Sequence, residues 1–339
     1  MKCGIIGLPN TGKSTFFNLI SNSQVLSENF PFCTIEPNYG ITKVPDQRLY
    51  ELQKIVNPIK VIPSEIKIVD IAGLIRGSHK GDGLGNKFLS HIRETNVILH
   101  IIRVFNDISI LHIEGSINPV RDIEIINMEL QLKDIETIEK KLEKISKKKE
   151  NKKFTYLLNK ILSFLKEGKN IRIYPLKEDE NKYIKNLQLL TIKPVIYICN
   201  INDLLDKETK LHIENIKKIV EIENSTLMVV SLKNKCKKKN KIDKILQKAY
   251  KLLNLQSFFT VGKKEIRAWS IPNICTAHTA SSVIHTDLKK GFIRAEIIHY
   301  NDFIKYKSEE QAKKAGKIFL VGKNYLIQDG DIIHFRFNL

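Results

Sequence analysis

Long apolar runs are what this sequence most plainly lacks. The longest, Val97–Phe105, is broken by His100 and Arg103, and it falls far short of the ~20 residues that span a bilayer. The opening MKCGIIGLPN has no positive-then-apolar leader, so a chain that is neither membrane-spanning nor exported is expected. Cysteine is scarce as well. Cys3, Cys33, Cys199, Cys236 and Cys275 are odd in number, far apart and free of any Cys-x-x-Cys pair. Such spacing speaks against a disulfide framework or a zinc site and suits a reducing cytoplasm.

Negative charge is the third shortage. Against 56 Lys and Arg stand 37 Asp and Glu, a formal net charge of +19. A field of that sign draws RNA or an acidic membrane surface. Lys, Ile and Asn are over-used together, however, and compositional drift produces the same excess. Charge alone therefore assigns no partner. With 42% hydrophobic and 27% charged residues over 339 positions, the chain is globular, and two or three domains are expected.

Five short β-rich runs recur in the first 255 residues: Cys3–Leu8, Ile66–Ile71, Val97–Val104, Val195–Ile201 and Thr226–Ser231. Helical or polar stretches separate them, which predicts a parallel sheet covered on both faces. Within this region Met128, Ile135, Ile138, Leu142 and Ile145 keep mostly three-and-four spacing, and Phe154, Leu157, Leu158, Ile161 and Leu165 repeat it. The stretch Ser146–Lys153 between them has no apolar residue, so two antiparallel helices joined at a basic tip are predicted. That tip and the run Lys233–Lys241 read either as nucleic-acid contacts or as ordinary solvated turns. From about Ser257 the texture changes. Ile266–Ile271, Phe292–His299, Ile318–Val321 and Ile332–Phe337 read as strands around one helix near Ala280–Ile284, a small α+β unit.

The sharpest signal is Gly7-Leu-Pro-Asn10-Thr11-Gly12-Lys13-Ser14. It matches GxxxxGK[ST] and stands between an apolar strand and an apolar helix start, the context a phosphate-binding loop requires. Its amides would turn inward onto phosphate oxygens at a helix amino terminus, with Thr15 beside them. Lys13 would neutralise the β and γ phosphates and Ser14 would ligate Mg²⁺. Asp70 ends the strand Ile66–Asp70 in Asp-x-x-Gly, where it would hold the metal through water and the Gly73 amide would sense a γ-phosphate. Thr34 is the candidate for a second hydroxyl on the metal. At the base, Asn200-Ile201-Asn202-Asp203 stands where a guanine reader has Asn-Lys-x-Asp, and Ser231 would sit at the other edge. Loss of the lysine at Ile201 favours adenine, while Asp203 keeps GTP open.

Taken in order, these segments resemble the YchF-type, Obg-like ATPase family among the translation-factor-related P-loop GTPases. The resemblance is carried by Gly7–Ser14, Phe30–Pro37, Asp70–Leu74, Lys80–Asn86, Ile92–Glu94, Ile293–Glu296 and Asp329–Phe337. It implies an α/β P-loop G domain over residues 1–255, with an antiparallel coiled-coil hairpin inserted at about 116–190, and a β-grasp TGS domain over 256–339. It further implies ATP preferred over GTP, Mg²⁺, slow hydrolysis and ribosome binding; with the cysteine usage and the Thr34 switch position, a cytoplasmic monomer that uses nucleotide state as a switch is expected. Leu74 stands where many GTPases carry the glutamine that orients attacking water, so another group must position it. His112 is the candidate, with a structural hydrogen bond as the alternative reading. Two readings of other kinds stay open: a basic RNA-binding module with a structural nucleotide, and a P-loop kinase, for which no acceptor pocket or lid is legible.

Overall fold

The computed structural model describes residues 1–21, 37–71, 73, 77–78, 84–148, 152–203, 205–233 and 239–338. Two compact units result, Met1–Thr42 with Lys67–Ile245, and Lys43–Ile66 with Leu246–Leu339. In chain order the elements begin β1 (Lys2–Ile6), α1 (Lys13–Ile20), β2 (Asn38–Lys43), α2 (Gln47–Val56), β3 (Lys60–Ile62), β4 (Glu65–Asp70), α3 (Leu84–Arg93) and β5 (Val97–Arg103). They continue with α4 (Pro119–Lys148), α5 (Lys152–Lys166), α6 (Glu178–Lys185), β6 (Val195–Asn200), α7 (Lys207–Ile222), β7 (Thr226–Val230) and α8 (Lys239–Leu252).

In the first unit the strands run β2-β4-β1-β5-β6-β7. β1 lies parallel between β4 and β5, and β5, β6 and β7 follow in parallel. Every residue of β5 and β6 is buried, as continuous apolar runs must be when helices cover both faces. Strand order reverses at β1, so the crevice beyond its carboxyl end is where a doubly wound sheet receives a ligand.

The inserted helices share a core of Ile138, Ile145, Leu157, Leu158, Ile161 and Leu165, joined by Ile171, Ile184 and Leu189. Lys166 at the end of α5 pairs with Glu139 in the middle of α4 at 3.0 Å, the placement an antiparallel hairpin gives. The predicted stripe needs one correction, because Met128 is 43% exposed while Ile123, Ile126 and Leu130 are buried against the sheet. α4 changes partner along its length. Its first turns face the G-domain core and its later turns face α5, so no single seam runs through it.

The second unit adds β8 (Leu255–Val261), β9 (Glu265–Pro272), α9 (Ala277–Ile284), α10 (Thr286–Lys290), β10 (Phe292–Ile298), α11 (Tyr300–Tyr306), α12 (Glu309–Lys314), β11 (Phe319–Val321) and β12 (Ile332–Phe337). Its sheet runs β11-β10-β12-β8-β9-β3, with β8 and β12 parallel at the centre and antiparallel pairs on either side. This is the β-grasp arrangement. Four helices stand where the sequence reading expected one. Residues 43–66 also belong here and not to the first unit: β3 pairs with β9, and Leu49 and Leu52 of α2 enter this unit's core. A three-residue edge strand carries too little pattern to reveal such a partner. Among the described residues no helix is long and apolar enough to cross a membrane.

Candidate functional site

At the carboxyl end of β1 the chain bends through three unusual conformations, Gly7 at φ 153°, Asn10 at 61° and Gly12 at 98°. A Cβ on Gly7 would lie 2.4 Å from the Ile101 carbonyl oxygen, and one on Gly12 would lie 2.7 Å from Asn200 Nδ2. Both positions therefore need glycine for conformation and for space. The turn delivers α1 with no side-chain cap and no acid in its first turn. Its first-turn amides and positive dipole end suit an anion.

Lys13 is only 8% exposed, and its amine donates to the Leu8 carbonyl at 2.8 Å. Burial lowers its pKa to about 8, with Asp70 opposing. The Ser14 hydroxyl donates to Asp70 Oδ2 at 3.1 Å. Burial raises the Asp70 carboxyl above its ordinary value, against Lys13 and Ser14, which favour its charge. Its other oxygen is buried without a partner among the described residues. A hydroxyl beside a buried carboxylate with a spare oxygen is the donor set that a small hard cation shares with phosphates and water. These residues fit Mg²⁺. Gly73 follows close against the loop, since a Cβ there would lie 3.0 Å from Pro9.

Thr11 and Asn10 serve the loop itself. The buried Thr11 hydroxyl donates to Leu8 O at 3.0 Å and Asn10 Nδ2 to Leu111 O at 3.0 Å. Thr15 is exposed on the first turn of α1. Asn200, at the end of β6, clamps two loops: its Nδ2 donates to Thr11 O at 3.0 Å, and its Oδ1 accepts from Leu232 N–H at 3.2 Å. Ile201 is buried, Asp203 is exposed, and the Ser231 hydroxyl is buried with no partner among the described residues. The structure thus gathers Asn200, Ile201 and Ser231 at one edge of the loop. Thr34 and Leu74 lie outside the described residues, as do Cys33, Cys236, most of Lys80–Asn86 and most of the basic run after Lys233.

His112 has both ring nitrogens engaged. Nδ1 accepts the Glu114 N–H at 3.1 Å, which places the ring proton on Nε2, facing Asp122 Oδ2 at 2.9 Å. The ring adjoins Leu111, whose carbonyl the phosphate loop's Asn10 reaches. Sequence reasoning missed the residue that shapes this segment. Arg103 is 2% exposed, and its guanidinium donates to the carbonyls of Phe105, Asp107 and Ile110 at 3.3, 3.2 and 3.0 Å. A lone charge inside an apolar strand was the available signal. Asp107 pairs with Lys233 at 2.5 Å, and that contact holds its carboxyl down at about 2.

Fold and site together define a P-loop nucleotide hydrolase of the G-domain class. A family model described as "50S ribosome-binding GTPase" matches residues 2–160, and the YchF-GTPase_C model, described as "Protein of unknown function (DUF933)", matches residues 255–338. "Ribosome-binding ATPase YchF" of Pasteurella multocida is 44% identical over 100% of this chain and 99% of its own. The Bacillus subtilis protein of the same name is 41% identical over the whole of both chains. The solved "Schizosaccharomyces pombe YchF GTPase" superposes with a TM-score of 0.84 at 36% identity, over 99% of this chain and 97% of the other. The chain belongs to the YchF family.

Proposed function

We propose that this protein is a ribosome-binding ATPase that hydrolyses ATP to ADP slowly and uses its nucleotide state as a conformational switch. The observation that carries the reading is the buried Lys13 beside Ser14 and Asp70 under an uncapped helix end. Loop amides and Lys13 would bind the β and γ phosphates. Ser14 and Asp70, the latter through water, would hold Mg²⁺, with Thr34 as the further hydroxyl. The metal supplies charge neutralisation on the phosphate chain. The Gly73 amide would register the terminal phosphate. His112, held by Asp122, would position the attacking water in place of the glutamine that Leu74 replaces only when its Nδ1 exchanges the Glu114 amide for that water, and this indirect arrangement would account for slow turnover. Ribosome binding, to the large subunit or the whole particle with rRNA contacts, is supported by the relatives' name and the basic charge. A cytoplasmic monomer suits that role.

Adenine preference is supported by the buried Ile201 in the place of the guanine readers' lysine, with the Ser231 hydroxyl free to meet the base edge. GTP is the second reading, favoured by Asp203 and by the name of the fission-yeast relative. Calorimetric titration with both nucleotides decides between them. ATP is expected to bind at least ~10-fold tighter, a difference of about 1.4 kcal/mol, and equal or reversed affinities would make the protein a GTPase of the same fold. Replacement His112→Ala should lower kcat by roughly 100-fold, the scale of positioned acid–base or water-orienting groups, with ATP affinity intact. An unchanged kcat would leave the ring a purely structural role. A switch further requires ribosome affinity that differs between ATP-analogue and ADP states, whereas a passive basic binder would respond to salt and ignore the nucleotide.

A further inference from the structure

Buried polar side chains crowd one helix of the first unit. Along α4, Asp122, Glu129, Gln131 and Asp134 are 3%, 1%, 7% and 0% exposed, and each grips a different segment. Asp122 holds His112. Glu129 Oε1 accepts the Gly77 N–H at 2.6 Å. Gln131 Nε2 donates to Asn170 Oδ1 at 2.9 Å, and Asp134 accepts the Leu190 and Thr191 amides at 2.7 and 2.8 Å. Burying carboxylates is costly unless hydrogen bonds compensate, so these contacts fix the register of α4 firmly.

Two of the four bear on the nucleotide site. Asp122 and Glu129 are seven residues apart, about two turns, and so share a face. One carries His112. The other carries Gly77, four residues past Gly73. The same helix continues into the hairpin, where Ile138 and Ile145 meet α5. A single rod therefore grips both the imidazole and the Gly77 amide, and its far end belongs to the inserted hairpin.

We propose that Glu129 is a positioning residue for nucleotide hydrolysis: it ties Gly77, four residues past Gly73, to α4 through the Gly77 amide, so that turnover depends on where the hairpin's first helix sits. The proposal rests on the hydrolase reading above. The role of Glu129 is to hold backbone in place and not to take part in the chemical step.

The test uses the full chain with Glu129→Ala and the nearly isosteric Glu129→Gln, which keeps an acceptor without the charge. Glu129→Ala is expected to lower kcat ~10- to 100-fold with ATP affinity within about two-fold of wild type. Glu129→Gln is expected to recover most of that loss. Amide exchange at Gly77 supplies a readout independent of activity: protected in wild type, at least ~10-fold faster in Glu129→Ala. Undiminished kcat in Glu129→Ala overturns the proposal. So does an equal fall of kcat and ATP affinity in both variants, which marks a merely structural residue. If the wild type hydrolyses no ATP, the hydrolase reading fails by itself. Gly77 exchange then still judges the tie to α4, upheld by lost protection in Glu129→Ala and refuted by unchanged exchange.

Discussion

Replacing Lys13 with alanine is expected to abolish measurable ATP turnover and to weaken triphosphate binding by at least ~100-fold, because charge-assisted bonds to phosphate are the strongest contacts this loop can form. Its ammonium is already buried at the loop, held on the Leu8 carbonyl 2.8 Å away. Wild-type hydrolysis by the alanine variant would remove the phosphate site from the account. The same residue sets a pH dependence. With burial lowering its pKa to about 8, the amine loses its proton above that pH, so ATP affinity should fall as pH rises from 7 to 9, and binding should take up a proton. The stability of the ligand-free protein moves the other way. Between about 8 and the ordinary 10.5 the unfolded chain holds the proton that the folded site has lost, so stability rises with pH across that window. Lys193, lowered to about 8 by burial, contributes with the same sign. Calorimetry at pH 7 and 9 checks the first effect, and pH-independent ATP affinity would contradict it. Denaturation by urea across the same range checks the second.

The substitution Gly7→Ala should cost about 3 kcal/mol or more and leave no nucleotide binding, since strain at positive φ and a backbone clash combine. The new Cβ would stand 2.4 Å from the Ile101 carbonyl, and β5 cannot retreat because β1 and β6 pair with it on both sides. Gly115 is the matched control. Its φ is 74° but nothing lies within 4 Å of the added Cβ, so Gly115→Ala should cost only about 1–2 kcal/mol from backbone strain. Urea unfolding of the two variants separates the terms, and equal losses would mean that the close approach at Gly7 carries no weight.

What was readable in advance was readable for local reasons. The phosphate loop occupies eight consecutive residues, and its conformation is dictated by its own glycines and the strand and helix on either side. Asp70 was recognisable because it ends an apolar strand. Asn200 was recognised at the base, but its work in clamping the phosphate loop to Leu232 could not be, because Thr11 and Leu232 lie far from it in sequence. Met128 fitted the helical period and still lies on the exposed side of α4, since the period tells which residues share a face and not which neighbour that face meets. The additional helices of the second unit are short, three of them seven residues or fewer, below the length at which periodicity separates helix from loop.

The sequence by itself determined the alternation of strands and helices, the phosphate-binding turn, the acid that faces it and the change of texture near Ser257. Each of these is written in neighbouring residues, where conformational preference and apolar spacing act directly. Only the tertiary structure decided that residues 43–66 complete the second sheet, that Arg103 shapes the segment carrying His112, and that α4 binds both His112 and Gly77. The second sheet and the Gly77 contact join residues far apart in sequence, while the Arg103 and His112 contacts are close in sequence but form only where folding buries them.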